Sequence, residues 1–229
     1  MKKRKFCMVT TFYPPYNFGG DGIATERLVN ALAADGHDVH VVHDRDAYEL
    51  LAGRSPDRAV EHHPGVTVHT LRRTRRPRLE LLVSHQLGRP IGAHRGIRAV
   101  LDSHEFDVVH YHNISLLGGP NVLKYGRGVK LCTMHDYWFV CPMHVLWRND
   151  REACTKRSCF TCTLRGHRPP QLWRYTGSLR RAVRHVDAFI APSRSAAVLQ
   201  ARNGFPAPVH HIPNFLPVQR NGGIGAHPT

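Results

Sequence analysis

Three short segments bring together residue types that handle anions, hydroxyl groups and protons. Asn17-Phe18-Gly19-Gly20-Asp21-Gly22 lies between an apolar run and a helical pattern. Its glycines let a ligand approach the main chain closely, and the N–H groups opening the helix favour negative charge. His112-Asn113 and His135-Asp136 each follow an apolar run. An imidazole that stays neutral near pH 7 can hydrogen-bond a hydroxyl or steady developing charge. A fourth group, Cys141, Cys154, Cys159 and Cys162, has the spacing C-x12-C-x4-C-x2-C. Four thiolates can close a structural zinc shell and leave no open position for catalysis. Free thiols or a redox disulfide are the alternative, and His144 or His167 can replace one cysteine.

These residues need a frame. Phe6–Thr11, Val39–Val42, Val66–His69, Asp107–His112, Val129–Met134, Ala188–Ala191 and Val209–Ile212 read as strands. Helical patterns fall at Ile23–Ala34, between Leu79 and Leu101 with a break near Gly88-Arg89-Pro90, at Leu172–His185, and at Ser195–Asn203. Strands alternating with helices predict an α/β, Rossmann-like fold, a mostly parallel sheet with helices on both faces. In such sheets ligands bind at the carboxyl ends of the strands. Gly19 and Gly20, His112 and Asn113, His135 and Asp136, and Ser193 all fall at that edge. The cysteines occupy a cysteine-rich insertion, residues 137–168, with few apolar residues between Trp147 and Arg168.

The 229 residues carry a net charge of +15, which favours acidic partners. Specific nucleic-acid binding is not expected, because the chain has no such fold signature and aromatic content is 8%. No apolar run reaches the roughly 18 residues of a membrane span. The apolar segment behind Lys2-Lys3-Arg4-Lys5 is short and ends at Pro14-Pro15, so it reads as a strand of a cytoplasmic protein rather than a signal peptide. Arg72-Arg73-Thr74-Arg75-Arg76-Pro77-Arg78 precedes Leu79-Glu80-Leu81-Leu82-Val83. This order suits peripheral contact with an anionic membrane, with a solvated charged face as the alternative. The Gly-, Pro- and Asn-rich stretch 217–229 is expected to be disordered.

The glycine opening after Phe12-Tyr13-Pro14-Pro15 resembles the N-terminal domain of family 4 glycosyltransferases. Asp107-Val108-Val109-His110-Tyr111-His112, Met134-His135-Asp136-Tyr137-Trp138, Ala191-Pro192-Ser193 and Ile212-Pro213-Asn214 extend the resemblance, in order, across residues 5–216. The resemblance implies the N-terminal half of a GT-B fold, in which two Rossmann-like domains flank the active site. The C-terminal one holds the nucleotide-sugar and carries a Glu-x7-Glu pair. Residues 215–229 fall far below the roughly 50 residues of a small domain. The donor-binding domain is therefore expected to be missing and to come from a separate polypeptide.

By the same resemblance, Gly19 and Gly20 face the donor diphosphate and His135 the transferred sugar. Asp136 orients His135 or accepts from an acceptor hydroxyl, and His112, Asn113 and Tyr137 meet the acceptor. Asp21 either caps the helix near Ile23 or touches an acceptor hydroxyl. Ser193 is expected as a helix cap, and His110 as packed within the sheet. The implied reaction is retaining transfer from a nucleotide-sugar to a glycan, lipid-linked or small-molecule acceptor, without a catalytic metal. The alternative is a non-catalytic remnant or partner subunit that binds sugar or phospholipid.

Overall fold

The computed structural model describes residues 2–57, 59–72, 76–149, 151–155 and 157–216. Its elements, in chain order, are β1 (Lys5–Val9), α1 (Gly20–Ala34), β2 (Asp38–Asp44), α2 (Arg45–Ala52), β3 (Val66–Leu71), α3 (Pro77–Leu87), α4 (His94–Ser103) and β4 (Val108–Tyr111). A 3-10 turn at Gly119–Lys124 leads to β5 (Val129–Thr133), β6 (Trp147–Arg148), β7 (Glu152–Ala153) and α5 (Cys159–Arg165). After a second 3-10 turn at Leu172–Tyr175 come α6 (Ser178–Val183), β8 (Ala188–Ala191), α7 (Arg194–Arg202) and β9 (Val209–His211).

Seven strands form one sheet in the order β3-β2-β1-β4-β5-β8-β9, with every pairing parallel. The strands read as near-continuous apolar runs because both faces are covered. On β1, Cys7 and Val9 enter one core with Val42, Ile97, Val109 and Tyr111. Met8, between them, enters the opposite core with Val29, Ala33, Val39 and Val41. Helix α1 places Thr25, Val29 and Ala33 on that second face, at the i, i+4, i+8 spacing of one buried stripe. The expected doubly covered, Rossmann-like sheet is observed.

Three helical segments differ from expectation, one of them α5, which forms among the cysteines where no helix was expected. Helix α2 follows β2 directly because the Asp44 side chain caps it, accepting from the Ala47 N–H at 3.0 Å. The Leu172–His185 segment is not one helix. Gly177, with φ of +68°, separates the 3-10 turn from α6. Ser193 caps α7, its Oγ accepting from the Ala196 N–H at 3.1 Å. Arg73 to Arg75 and residues 217–229 lie outside the described residues, so the basic run is described only at Arg72, Arg76 and Arg78. Among the described residues no helix is long and apolar enough to cross a membrane.

Candidate active site at the carboxyl edge of the sheet

The loops leaving β1 and β4 are joined through backbone hydrogen bonds. The Thr11 N–H donates to Asn113 O, and the His112 N–H to Val9 O. Side chains continue the joint. Asn113 Nδ2 donates to Asp21 Oδ2 at 3.0 Å, and Asn113 Oδ1 accepts from the Ser115 N–H and hydroxyl. The amide is therefore fixed in one orientation, linking β4 to the first turn of α1.

Asp21 does not cap the helix from outside, because α1 begins at Gly20 and Gly19 holds the N-cap position without a side-chain cap. The Asp21 carboxylate accepts from Asn113 and from the Gly22 N–H at 2.8 Å. A first-turn carboxylate suits the helix dipole but opposes part of the positive potential an anion would meet there. The glycines also act differently from a left-handed turn: Gly19, Gly20 and Gly22 all lack positive φ. A Cβ at Gly22 would lie 2.2 Å from Asn17 Oδ1, so any side chain there must displace the Asn17 amide. Gly20 has no atom within 4 Å of a Cβ position and is exposed. It presents bare backbone at the helix start.

His112 Nδ1 and His135 Nε2 stand 3.0 Å apart, coupling the ends of β4 and β5. Burial lowers the pKa of His135, while the Asp21 and Asp136 carboxylates push it the other way. The net direction is down, so the ring is neutral at pH 7. His112, expected to meet an acceptor, is instead buried at 4% exposure. Burial holds its pKa well below the ordinary value, with His110 and His135 adding to the effect. The one hydrogen-bond partner of its ring among the described residues is His135. His110 lies inside the sheet, its Nε2 2.8 Å from Thr133 Oγ1.

Asp136 does not hold His135. Its Oδ2 accepts from His144 Nδ1 at 2.7 Å and its Oδ1 from the Trp138 N–H at 2.8 Å. Gln200 of α7 donates to its carbonyl. Asp136 thus ties the end of β5 to the cysteine-bearing segment that follows it and to α7. Tyr137 is half-buried at the root of that segment, its N–H donating to His144 O and its carbonyl accepting from the Cys141 N–H.

Beside these loops lies a cavity of about 660 Å³, within the usual range for ligand sites. Asn113, Trp138 and His144 line it toward the strand ends; Leu81, Leu82 and Val145 supply apolar wall, and Arg78 and Arg168 supply cationic groups. Arg78, Leu81 and Leu82 belong to the basic and apolar segment that sequence reading assigned to a membrane face; the structure turns them toward this cavity. The rest of the apolar lining comes from Phe12 after β1, Leu50 and Leu51 of α2, and the loops after β4 and β5, which no local pattern marks as sharing a space.

Cys141, Cys154, Cys159 and Cys162 line one small cavity with Met143, Trp147 and Arg148. No three of their sulfurs lie within 4.8 Å of one another among the described residues, so the cluster is gathered but not closed into a metal shell. The Arg174 guanidinium stands close enough to Cys159 and Cys141 for charge coupling, while burial pushes the Cys154 and Cys159 thiols up. The residue types suit a structural zinc, but the sulfurs as placed do not close a shell around one.

A model of glycosyltransferase family 4 matches residues 18–220. No curated protein sequence matches the chain. Among solved structures, TcCGT1 in complex with UDP is similar at 10% identity, over 98% of this chain and 54% of that one, with a TM-score of 0.48. The glycosyltransferase of kitacinnamycin is similar at 13% identity, over 100% and 56%, with a TM-score of 0.46. SsfS6, a Streptomyces sp. SF2575 glycosyltransferase, follows at 14% identity, over 97% and 57%, with a TM-score of 0.42. The chain spans a little over half the length of each of these structures. By the match over most of its length, the chain belongs to glycosyltransferase family 4.

Proposed function

We propose that this chain forms the acceptor-binding wall of a retaining GT-B glycosyltransferase that takes a sugar from a nucleotide-sugar. The observation that carries this reading is the joining of three strand-end loops, by Asp21–Asn113 and His112–His135, beside the 660 Å³ cavity. His135 meets the transferred sugar as a neutral imidazole. The bare backbone at Gly19 and Gly20 approaches the donor diphosphate, where N–H groups would offset charge on the leaving group. Asp21 partly opposes that charge, so the corner serves as one wall and a donor domain supplies the other. Asp136 acts by holding the inserted segment against β5, and Asn113 and Tyr137 lie on the acceptor side.

The apolar cavity wall with Arg78 and Arg168 favours an acceptor that joins a sugar to an apolar, anionic carrier, such as a lipid phosphate. Of the acceptor types the family resemblance leaves open, this one matches the lining best. The cysteine quartet takes the role of a structural zinc centre bracing the insertion. The setting is cytoplasmic, with α3 and its basic approach at the membrane face.

The test pairs the chain with a separately expressed family 4 donor domain. Nucleotide-sugars and a short-chain prenyl-phosphate saccharide are supplied, and transfer is read by mass spectrometry. Transfer that falls at least about 100-fold in His135→Ala, the scale of losing one charge-stabilising group, supports the reading. No transfer to any acceptor, with the saccharide still bound, would establish the non-catalytic alternative.

A further inference from the structure

Away from the strand-end loops, three histidines from distant parts of the chain meet on the sheet face nearest α4. His40 lies on β2 and His69 on β3; His104 follows the last turn of α4. In the parallel register His40 pairs with Thr67, and Val42 pairs with His69. His40 and His69 are thus diagonal neighbours on one face. His40 Nδ1 and His69 Nε2 stand 2.9 Å apart, and the His40 and His104 ring centroids lie 4.5 Å apart. Phe106 packs edge-on against both His40 and His104.

We propose that His40, His69 and His104 bind a divalent transition-metal ion, zinc in the cell, that clamps β2, β3 and the end of α4 together. One ring nitrogen from each residue lies within 4.8 Å of the other two. In a tetrahedral zinc site with Zn–N bonds near 2.05 Å, ligand nitrogens sit about 3.4 Å apart. The widest pair therefore closes by about 1.4 Å at most, and the His40–His69 pair opens by about 0.5 Å. Small ring rotations supply both movements, and His69 and His104 are partly exposed, which leaves an entry path and room for a water as fourth ligand. Three imidazoles suit zinc, copper or nickel better than the hard cations magnesium or calcium.

The surroundings are those of a metal ligand as well. Asp38 Oδ1 lies 3.3 Å from His40 Nε2, and its other oxygen lies 3.3 Å from Lys5 Nζ. That carboxylate favours the proton on Nε2 and leaves the Nδ1 lone pair facing His69, the carboxylate–histidine–metal arrangement. Without metal, His69 Nε2–H donates to that lone pair; with metal, His69 moves its proton to Nδ1 and both nitrogens turn to the ion. The His40–His69 hydrogen bond is then exchanged for two coordinate bonds.

Co²⁺ titration of the purified full chain tests the assignment. Cys159→Ser with Cys162→Ser removes half of the thiolate set, so Co²⁺ should still bind one equivalent in that background, with d–d bands and without thiolate charge transfer. His69→Ala and His104→Ala, at partly exposed positions, should each weaken binding at least tenfold. Asp38→Asn should weaken it by about 10- to 100-fold. In the wild-type chain, Zn²⁺ should also move the imidazole ¹⁵N resonances of His69 and His104, a readout independent of the cysteines. Binding that disappears with the cysteines, or is unchanged in His69→Ala and His104→Ala with those resonances unmoved, would overturn the proposal.

Discussion

His112 Nδ1 stands 3.0 Å from His135 Nε2, while His112 Nε2 is buried without a partner. These two facts select a tautomer. A buried N–H without an acceptor is rarer and costlier than a bare lone pair, so the proton of neutral His112 belongs on Nδ1 and is donated to His135. His135 then accepts at Nε2 and carries its own proton on Nδ1, the nitrogen left for a ligand. In the proposed site His135 therefore approaches a sugar as a donor. Long-range ¹H–¹⁵N spectra at pH 7 should show both rings neutral and Nδ1-protonated. His112→Phe keeps the ring volume but removes the donor, and should shift the His135 Nε2 resonance toward that of a free acceptor nitrogen. An Nε2-protonated His112 would reverse the assignment.

Buried histidines also set the response to acid. Burial pushes the pKa of His43 down to about 4, with His62 adding to the effect, and that of His110 to about 4, with His135 adding. Both remain near 6.5 in the unfolded chain. Between pH 6.5 and 4 the unfolded state therefore binds protons that the folded state does not, and stability falls as pH falls. Each histidine contributes a slope of up to about 1.4 kcal/mol per pH unit in that window. Their contribution is complete above pH 6.5 and lost as the pH approaches 4. Urea midpoints measured from pH 7.5 to 5 should decline steadily, with acid unfolding beginning above pH 4. A flat profile down to pH 5 would contradict these burial effects.

The glycine corner makes two opposite predictions from neighbouring residues. Gly20 is the first residue of α1, without positive φ and with open space around a Cβ. Gly20→Ala should raise stability by up to about 0.5 kcal/mol, less than the helix-interior value because the position is terminal. It should also weaken nucleotide-sugar binding by covering the bare backbone. Gly22→Ala meets Asn17, which donates to Gly19 O at 2.8 Å and accepts from the Gly19 N–H at 3.3 Å. Losing that bridge should cost about 1 kcal/mol per hydrogen bond and cancel the propensity gain. Thermal melts of the two variants should separate, with Gly20→Ala above wild type and Gly22→Ala at or below it.

The frame was readable because a sheet covered on both faces writes its strands as apolar runs. Each of the seven central strands lies within about two residues of its expected position. Helix α2 was missed because its signal is a single cap, Asp44, placed at the end of a buried strand. Alternation along Asp107–His112 puts His110 and His112 on one face, and His110 is packed in the sheet as expected. Period two does not carry the depth of His112 at the strand end, and it too is buried. The partner of Asp136 was not legible either, since His144 reaches it through an irregular loop with no periodicity. Nor was the His40–His69–His104 trio, which exists only in the register of β2 on β3 and at the end of α4.

Arg174 carries the last prediction. Its guanidinium donates to the Trp138 and Phe139 carbonyls and to Gln171 Oε1. It stacks 4.4 Å from the centroid of Trp173 and 5.7 Å from that of Trp138. Burial pushes its pKa down to about 10, so it remains a cation at pH 7 and binds the start of the loop after β5 to the 3-10 turn at Leu172–Tyr175. A lysine cannot span two carbonyls and an amide while lying flat on indole rings. Arg174→Lys should therefore cost about 2–3 kcal/mol, from unpaired buried carbonyls and lost stacking. Hydrogen exchange should rise first at residues 137–146, before the central strands β1 and β4 loosen. If the whole sheet loosened together, Arg174 would be acting on the global core rather than on the loop after β5.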